Sequence, residues 1–120
     1  MAIDQKIWDA IHAFPKIDLH CHLDGSVRPD TIVELAQERD IKLPYKDLEH
    51  MVTYLHCEDA DNLPDYLKRF DVTLAVMQDP VSIERIAYEL CEDAAKENIK
   101  WLEIRYSPIL HVQKGMRIVD

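Results

Sequence analysis

Glycine is almost missing from this chain: Gly25 and Gly115 are the only two in 120 residues, which leaves little room for flexible joints. Cysteine is also scarce. Cys21, Cys57 and Cys91 are odd in number, widely spaced and lack any CxxC pairing, which fits reduced thiols in a cytoplasmic protein better than a disulfide framework. Basic residues are outnumbered, 14 against 23 acidic, and the net charge of −9 with a pI near 5.0 argues against a nucleic-acid partner or an anionic membrane surface. No apolar run approaches the roughly 20 residues that span a bilayer. The opening Met-Ala-Ile-Asp-Gln-Lys carries early charges and no continuous apolar stretch of a signal peptide. Repeats, low-complexity tracts and obvious linkers are absent. What remains, 48% apolar and 31% charged residues, suits a soluble globular unit with one core, a single domain over 1–120.

Periodicity sets the order of elements. Ile7, Trp8 and Ile11 predict a short helix over 3–13, stopped by Phe14-Pro15. A strand follows from Lys16. Pro29 at a first helical turn, with Asp30 near its positive end, predicts a helix to about Arg39 carrying Ile32, Leu35 and Ala36. Asp47 caps a second helix to about His56, with Leu48, Met51, Val52 and Leu55 as its stripe. The acidic stretch 58–62 reads as solvated loop. Beyond it Leu63, Tyr66, Leu67 and Phe70 mark one side of another helix, and Asp79-Pro80 starts a long one through Ile83, Ile86, Ala87, Leu90 and Ala94. Lys100–Tyr106 is a second strand, closed by Ser107-Pro108. Strand, helices, strand is a parallel pair joined by an enlarged right-handed crossover. Two parallel strands cannot cover their own faces and edges, so the expected fold class is α/β, a portion of a larger (β/α)₈ barrel.

The chemistry sits on the first strand. In Lys16-Ile17-Asp18-Leu19-His20-Cys21-His22, strict alternation puts Ile17, Leu19 and Cys21 on one face and Asp18, His20 and His22 on the other. Two imidazoles one pleat apart can share a metal ion, and zinc takes imidazole nitrogen readily. The blander alternative is a pair of core histidines satisfied by neighbours. Asp24 lies at the C-terminal mouth of the strand, where barrels present substrate-contacting residues; it could equally bond its own turn. The stripe Leu63, Tyr66, Leu67, Phe70 is more often core than ligand wall, and Glu103 and Arg105 could pair with each other. His12, His50, His56 and His111 read as surface histidines on helices and a terminal loop.

Four blocks carry a resemblance: Pro15-Lys16-Ile17-Asp18-Leu19-His20-Cys21-His22-Leu23-Asp24-Gly25-Ser26, Leu63-Pro64-Asp65-Tyr66-Leu67-Lys68-Arg69-Phe70-Asp71, Arg85-Ile86-Ala87-Tyr88-Glu89, and Leu102-Glu103-Ile104-Arg105-Tyr106-Ser107-Pro108. In this order they closely resemble the N-terminal portion of zinc-dependent adenosine deaminases, (β/α)₈ barrels that hydrolyse adenosine and deoxyadenosine to inosine, or deoxyinosine, and ammonia in purine nucleoside metabolism. The resemblance implies Zn²⁺ as cofactor, with His20 and His22 as two of its ligands. It implies that Asp24 accepts a hydrogen bond from the ribose 5′-hydroxyl, that His22 also lies against the nucleoside, and that Leu63, Tyr66, Leu67 and Phe70 close over the purine. Aspartate at position 24 points to adenosine rather than adenine. The third zinc histidine, the His-Ala-Gly-Glu segment, the later histidine and the Asp-Asp pair of that family are expected beyond Asp120. No catalytic residue is therefore assigned here, and the chain alone is expected to be inactive.

Two rivals keep their place. A metal-dependent nuclease or phosphoesterase of similar barrel shape can open on the same strand wording, against which stand the acidic balance and the three further blocks. The other is a non-catalytic fragment that folds by associating through its open sheet edges.

Overall fold

A computed structural model describes residues 4–56 and 60–119. Five α-helices, α1 (Gln5–Ala13), α2 (Pro29–Glu38), α3 (Leu48–His56), α4 (Leu63–Val76) and α5 (Pro80–Lys96), accompany two strands, β1 (Lys16–His22) and β2 (Ile99–Arg105), and a 3₁₀ turn over Pro108–His111. The strands pair in parallel, so α2–α5 form one long crossover between them. The expected helix over 3–13 begins at Gln5, with Asp4 accepting from the Lys6 backbone N–H; Ile3 and part of the acidic stretch, Glu58 and Asp59, lie outside the described residues.

The start signals work as their chemistry requires. Asn62 accepts from the Asp65 N–H at 3.0 Å and Asp79 from the Ser82 N–H at 2.9 Å, each satisfying a donor that the first helical turn leaves unpaired. Pro29, Pro64 and Pro80 occupy first-turn positions where a missing N–H costs nothing. Asn98 ends α5 with φ of 58°, a left-handed conformation asparagine tolerates, and its side chain donates to the Ala13 carbonyl, tying the entries of both strands together.

The core gathers Ile32, Leu35 and Ala36 of α2, Met51 of α3, Val72 and Val76 of α4, and Ile86 and Leu90 of α5, roofed by Leu23 and Val27 from the turn after β1. Cys21, Leu102 and Ile104 bring the sheet against it. Charge locks α5 beside α2. Arg28 grips Asp93 and Glu92, Arg85 reaches Glu34 and Glu89, and Thr31 donates to Glu89 at 2.6 Å. Arg39 joins the end of α2 to the Asp79 cap at 2.7 Å, and this pairing, with the Ser82 hydrogen bonds, holds the Asp79 carboxyl well below the usual carboxylate range.

Three expectations are corrected. β1 does not alternate cleanly: Asp18 stands opposite Leu102 and Cys21 opposite Ile104, three residues advancing against two, a bulge-type slip in register. Of Ile17, Leu19 and Cys21, only Cys21 reaches the core; Ile17 and Leu19 are exposed, as is Trp101 of β2, because helices cover one side of this two-stranded sheet. The α4 stripe Leu63, Tyr66, Leu67, Phe70 is not its core face either. Arg69, Val72, Thr73 and Val76 are buried instead, while Leu63, Tyr66 and Leu67 are exposed. Finally, His111 is no surface histidine. It is 2% exposed in the 3₁₀ turn, where its Nδ1 meets the Met77 carbonyl at 3.0 Å. No helix among the described residues is long and apolar enough to cross a membrane.

Candidate functional site

β1 delivers His20 and His22 to its C-terminal end, where Leu23-Asp24-Gly25-Ser26 turns the chain toward α2. Ser26 closes that turn, its N–H donating to the Leu23 carbonyl at 3.2 Å and its hydroxyl to the His22 carbonyl at 2.6 Å. Asp18 stiffens the strand by accepting from the His20 N–H at 3.0 Å. The two imidazoles consequently converge, their Nε2 atoms 3.0 Å apart and their rings exposed.

That spacing serves a hydrogen bond when one Nε2 carries a proton and a shared cation when neither does. Two zinc–nitrogen bonds of about 2.0–2.1 Å at a tetrahedral angle place the nitrogens roughly 3.3 Å apart, so the pair fits zinc after a movement of a few tenths of an ångström. Among the described residues no cluster of three or more His, Cys, Asp or Glu could hold a metal, so two imidazoles are what these residues bring to it.

A cleft of about 720 Å³ opens over the histidines, with the Asp24 turn on one side and Tyr66, Leu67 and Phe70 of α4 on the other. The structure thus brings together six of the seven residues marked on the sequence, His20, His22, Asp24, Tyr66, Leu67 and Phe70; the seventh, Leu63, is exposed at the start of α4 and is not part of the cleft wall. Phe70 leans on the turn, where a Cβ on Gly25 would lie 3.4 Å from its ring. A hydrogen at position 25 keeps that ring against the turn, and larger side chains would push it into the cleft.

Asp24 is the most unusual side chain here. It is 14% exposed, its Oδ1 is buried without a hydrogen-bond partner, and the nearest cationic candidate, His22 Nδ1, is 3.8 Å away. A carboxylate oxygen left so costs stability unless something donates to it. An incoming hydroxyl would supply that donor.

Sequence reasoning missed Asp71, Leu74 and Leu110 on the same cleft. The first two had a signal: 67, 71 and 74 continue the outward stripe of α4 at spacings of four and three residues. Leu110 had none, since a 3₁₀ turn carries little periodicity. Among the described residues, the lining includes the carboxylates of Asp18, Asp24 and Asp71 and no lysine or arginine.

Residues 15–120 match the family model described as adenosine deaminase. The chain is 57% identical over 107 residues to an adenosine deaminase of Vibrio atlanticus, covering 88% of this chain and 32% of that protein. It is 45% identical over 107 residues to one of Clostridium botulinum, with the same coverage. Among solved structures it resembles the Arabidopsis N6-mAMP deaminase MAPDA, with TM-score 0.66 and 30% identity, and Arabidopsis ADAL complexed with GMP, with TM-score 0.64 and 29% identity; each match covers 92% of this chain and 32% of the other. These neighbours are TIM barrels, of which this chain supplies two parallel strands with their helices. The chain spans about a third of the length of the curated relatives it matches.

Proposed function

The chain belongs to the adenosine deaminase family, and from that membership we propose that it supplies the metal-binding and sugar-binding part of an enzyme hydrolysing adenosine or deoxyadenosine to inosine or deoxyinosine and ammonia. The observation that carries the proposal is the convergence of His20 and His22, 3.0 Å apart at Nε2, beside the unpartnered Oδ1 of Asp24 in one cleft.

His20 and His22 would hold zinc through their Nε2 atoms. A zinc ion so placed supplies Lewis acidity, bringing the pKa of water toward neutrality. The chain's own residues do the binding. Asp24 accepts the ribose 5′-hydroxyl, exchanging an orphaned buried oxygen for a charge-assisted hydrogen bond. Tyr66, Leu67 and Phe70 take the purine face and exclude water, and Leu63 lies where the same helix end could fold over a bound base. His22 serves twice, since its Nδ1 side looks toward Asp24 and so toward the sugar.

The electrostatics favour an unphosphorylated ligand. Solved relatives are complexes with GMP and IMP, but among the described residues the cleft lining offers three carboxylates and no fixed cation to a phosphate. The same lining speaks against the nuclease or phosphoesterase alternative. A cytoplasmic setting completes the proposal, in keeping with the unpaired thiols of Cys21 and Cys91.

Two imidazoles and no positioned proton donor for the ring cannot run the deamination, so the 120-residue chain by itself is inactive in this account. The test compares ammonia release from adenosine by this chain and by a protein that continues it to the length of its relatives, both with zinc. Turnover confined to the longer protein is the expected result. Turnover by the short chain within a few orders of magnitude of the longer one would overturn the division of labour, and no turnover by either would overturn the activity.

A further inference from the structure

Gln78 and His111 are buried polar side chains outside the metal and sugar chemistry, and both sit where the end of α4 meets the segment leaving β2. Gln78 is 5% exposed. Its amide nitrogen donates to the Leu74 carbonyl at 2.8 Å and to the Leu110 carbonyl at 2.9 Å, while its oxygen accepts from the Gln113 N–H at 3.0 Å. His111 adds a parallel link, Nδ1 donating to the Met77 carbonyl at 3.0 Å. Its other nitrogen is buried without a partner.

The bonded carbonyls give the pairing its meaning. Leu74 and Leu110 both line the cleft above His20 and His22, one from α4 and one from the 3₁₀ turn. These elements are far apart in sequence, and Gln78 holds both by a single planar amide whose two N–H groups diverge at a fixed angle. We propose that Gln78 and His111 are positioning residues: together they clamp the end of α4 to the segment after β2 and so fix the separation of Leu74 and Leu110, the far wall of the nucleoside cleft. This rests on the reading of that cleft as a nucleoside site, although the clamp itself is a fact of these hydrogen bonds.

The half-used imidazole makes the idea selective. Since His111 works through Nδ1 alone, an asparagine, whose amide nitrogen can stand where Nδ1 stands, should replace it, and a leucine of similar bulk should not. Gln78 divides likewise. Gln78→Glu keeps an oxygen for the Gln113 N–H but removes both donors, and Gln78→Met removes all three bonds.

The experiment is amide hydrogen exchange of the full chain, resolved by residue, with a parallel titration by adenosine read on the leucine methyl signals. In Gln78→Met the Gln113 amide should exchange at least tenfold faster, and in Gln78→Glu it should stay protected. In His111→Leu, amides of the last turn of α4 should exchange at least tenfold faster while those of the middle of α5 keep their rates; His111→Asn should restore the slow rates. Adenosine should bind at least fivefold more weakly to Gln78→Met and His111→Leu than to His111→Asn. Uniform acceleration throughout α5 would mean plain loss of stability and would overturn the proposal, as would adenosine affinity that ignores the clamp. If the unmodified chain gives no response to adenosine, the nucleoside reading fails, whereas unchanged exchange at Gln113 in Gln78→Met would sink the clamp whatever the ligand.

Discussion

Replacing Asp24 should stabilise the chain and cripple its ligand binding at once. In the free protein the Asp24 Oδ1 is buried and unpartnered, and His22 Nδ1 at 3.8 Å is too distant to donate a hydrogen bond. An unsatisfied buried oxygen costs about 1–3 kcal/mol, more when charged, and alanine removes it while forfeiting little apolar burial. Partial exposure of the side chain, 14%, puts the gain near the lower end, about 1 kcal/mol. For a chain of this size that corresponds to a melting point raised by roughly 3–6 °C. With a nucleoside present the sign reverses. The proposed charge-assisted hydrogen bond to the 5′-hydroxyl, absent in the variant, would be worth about 1.5–3 kcal/mol, or roughly 10- to 150-fold in affinity. Thermal unfolding of Asp24→Ala and the unmodified chain, followed by circular dichroism with and without adenosine, reads both effects. A melting point lowered by several degrees without ligand would refute the reasoning, because it would mean Asp24 is held by the turn and owes nothing to a ligand.

Other perturbations test the frame around the site. Asp79→Ala removes the cap of α5 and the partner of Arg39 together, and should cost about 2 kcal/mol in urea unfolding, roughly 1 from the cap and the remainder from the ion pair. Because pairing with Arg39 lowers the folded-state pKa of Asp79, its contribution is full above the unfolded value of about 3.9 and fades as pH falls below it; the gap between Asp79→Asn and the unmodified chain should therefore narrow in acid, and a gap that widens would contradict the pairing. His50 bonds Asp47 at 2.6 Å and is held above its ordinary pKa by that carboxylate, so NMR titration should show its midpoint falling in Asp47→Asn, and an unmoved midpoint would break the assignment. Exposed Ile17, Leu19 and Trp101 beside open strand edges should make the chain associate, visible as a concentration-dependent mass in sedimentation; a monomer over a hundredfold range of concentration would exclude this.

Helix starts were the most readable part of the sequence, since a cap followed by proline is local chemistry: Asp79-Pro80 begins α5 in the structure, while the Asn62 cap of α4 lay in a stretch read as loop. The parallel strand pair followed from strand–helix–strand order. Which side of α4 faces the core was not readable. Tyr66, Leu67 and Phe70 are more apolar than the side carrying Arg69 and Thr73, and periodicity reports amphipathicity without naming the face that packs. Arg69 escapes burial's penalty by bonding the Tyr54 carbonyl and lying over the Tyr54 ring, a tertiary arrangement no local window contains. His111 was misplaced for a similar reason: its partner, the Met77 carbonyl, is 34 residues away. At the site, period two and a turn bring His20, His22 and Asp24 close together locally, whereas the place of α4 on the same cleft came from the family resemblance alone. The register slip between Asp18 and Cys21 depends on β2 and left no mark in β1 alone.

The central claim is that His20 and His22 together hold the metal. Zinc-edge X-ray absorption on the chain loaded with one equivalent of zinc tests it directly. Two imidazole nitrogens at about 2.0–2.1 Å are expected, with the signal of one lost in His20→Ala and of the other in His22→Ala. Zinc bound with the same imidazole signal in both variants would place the metal elsewhere and contradict the account.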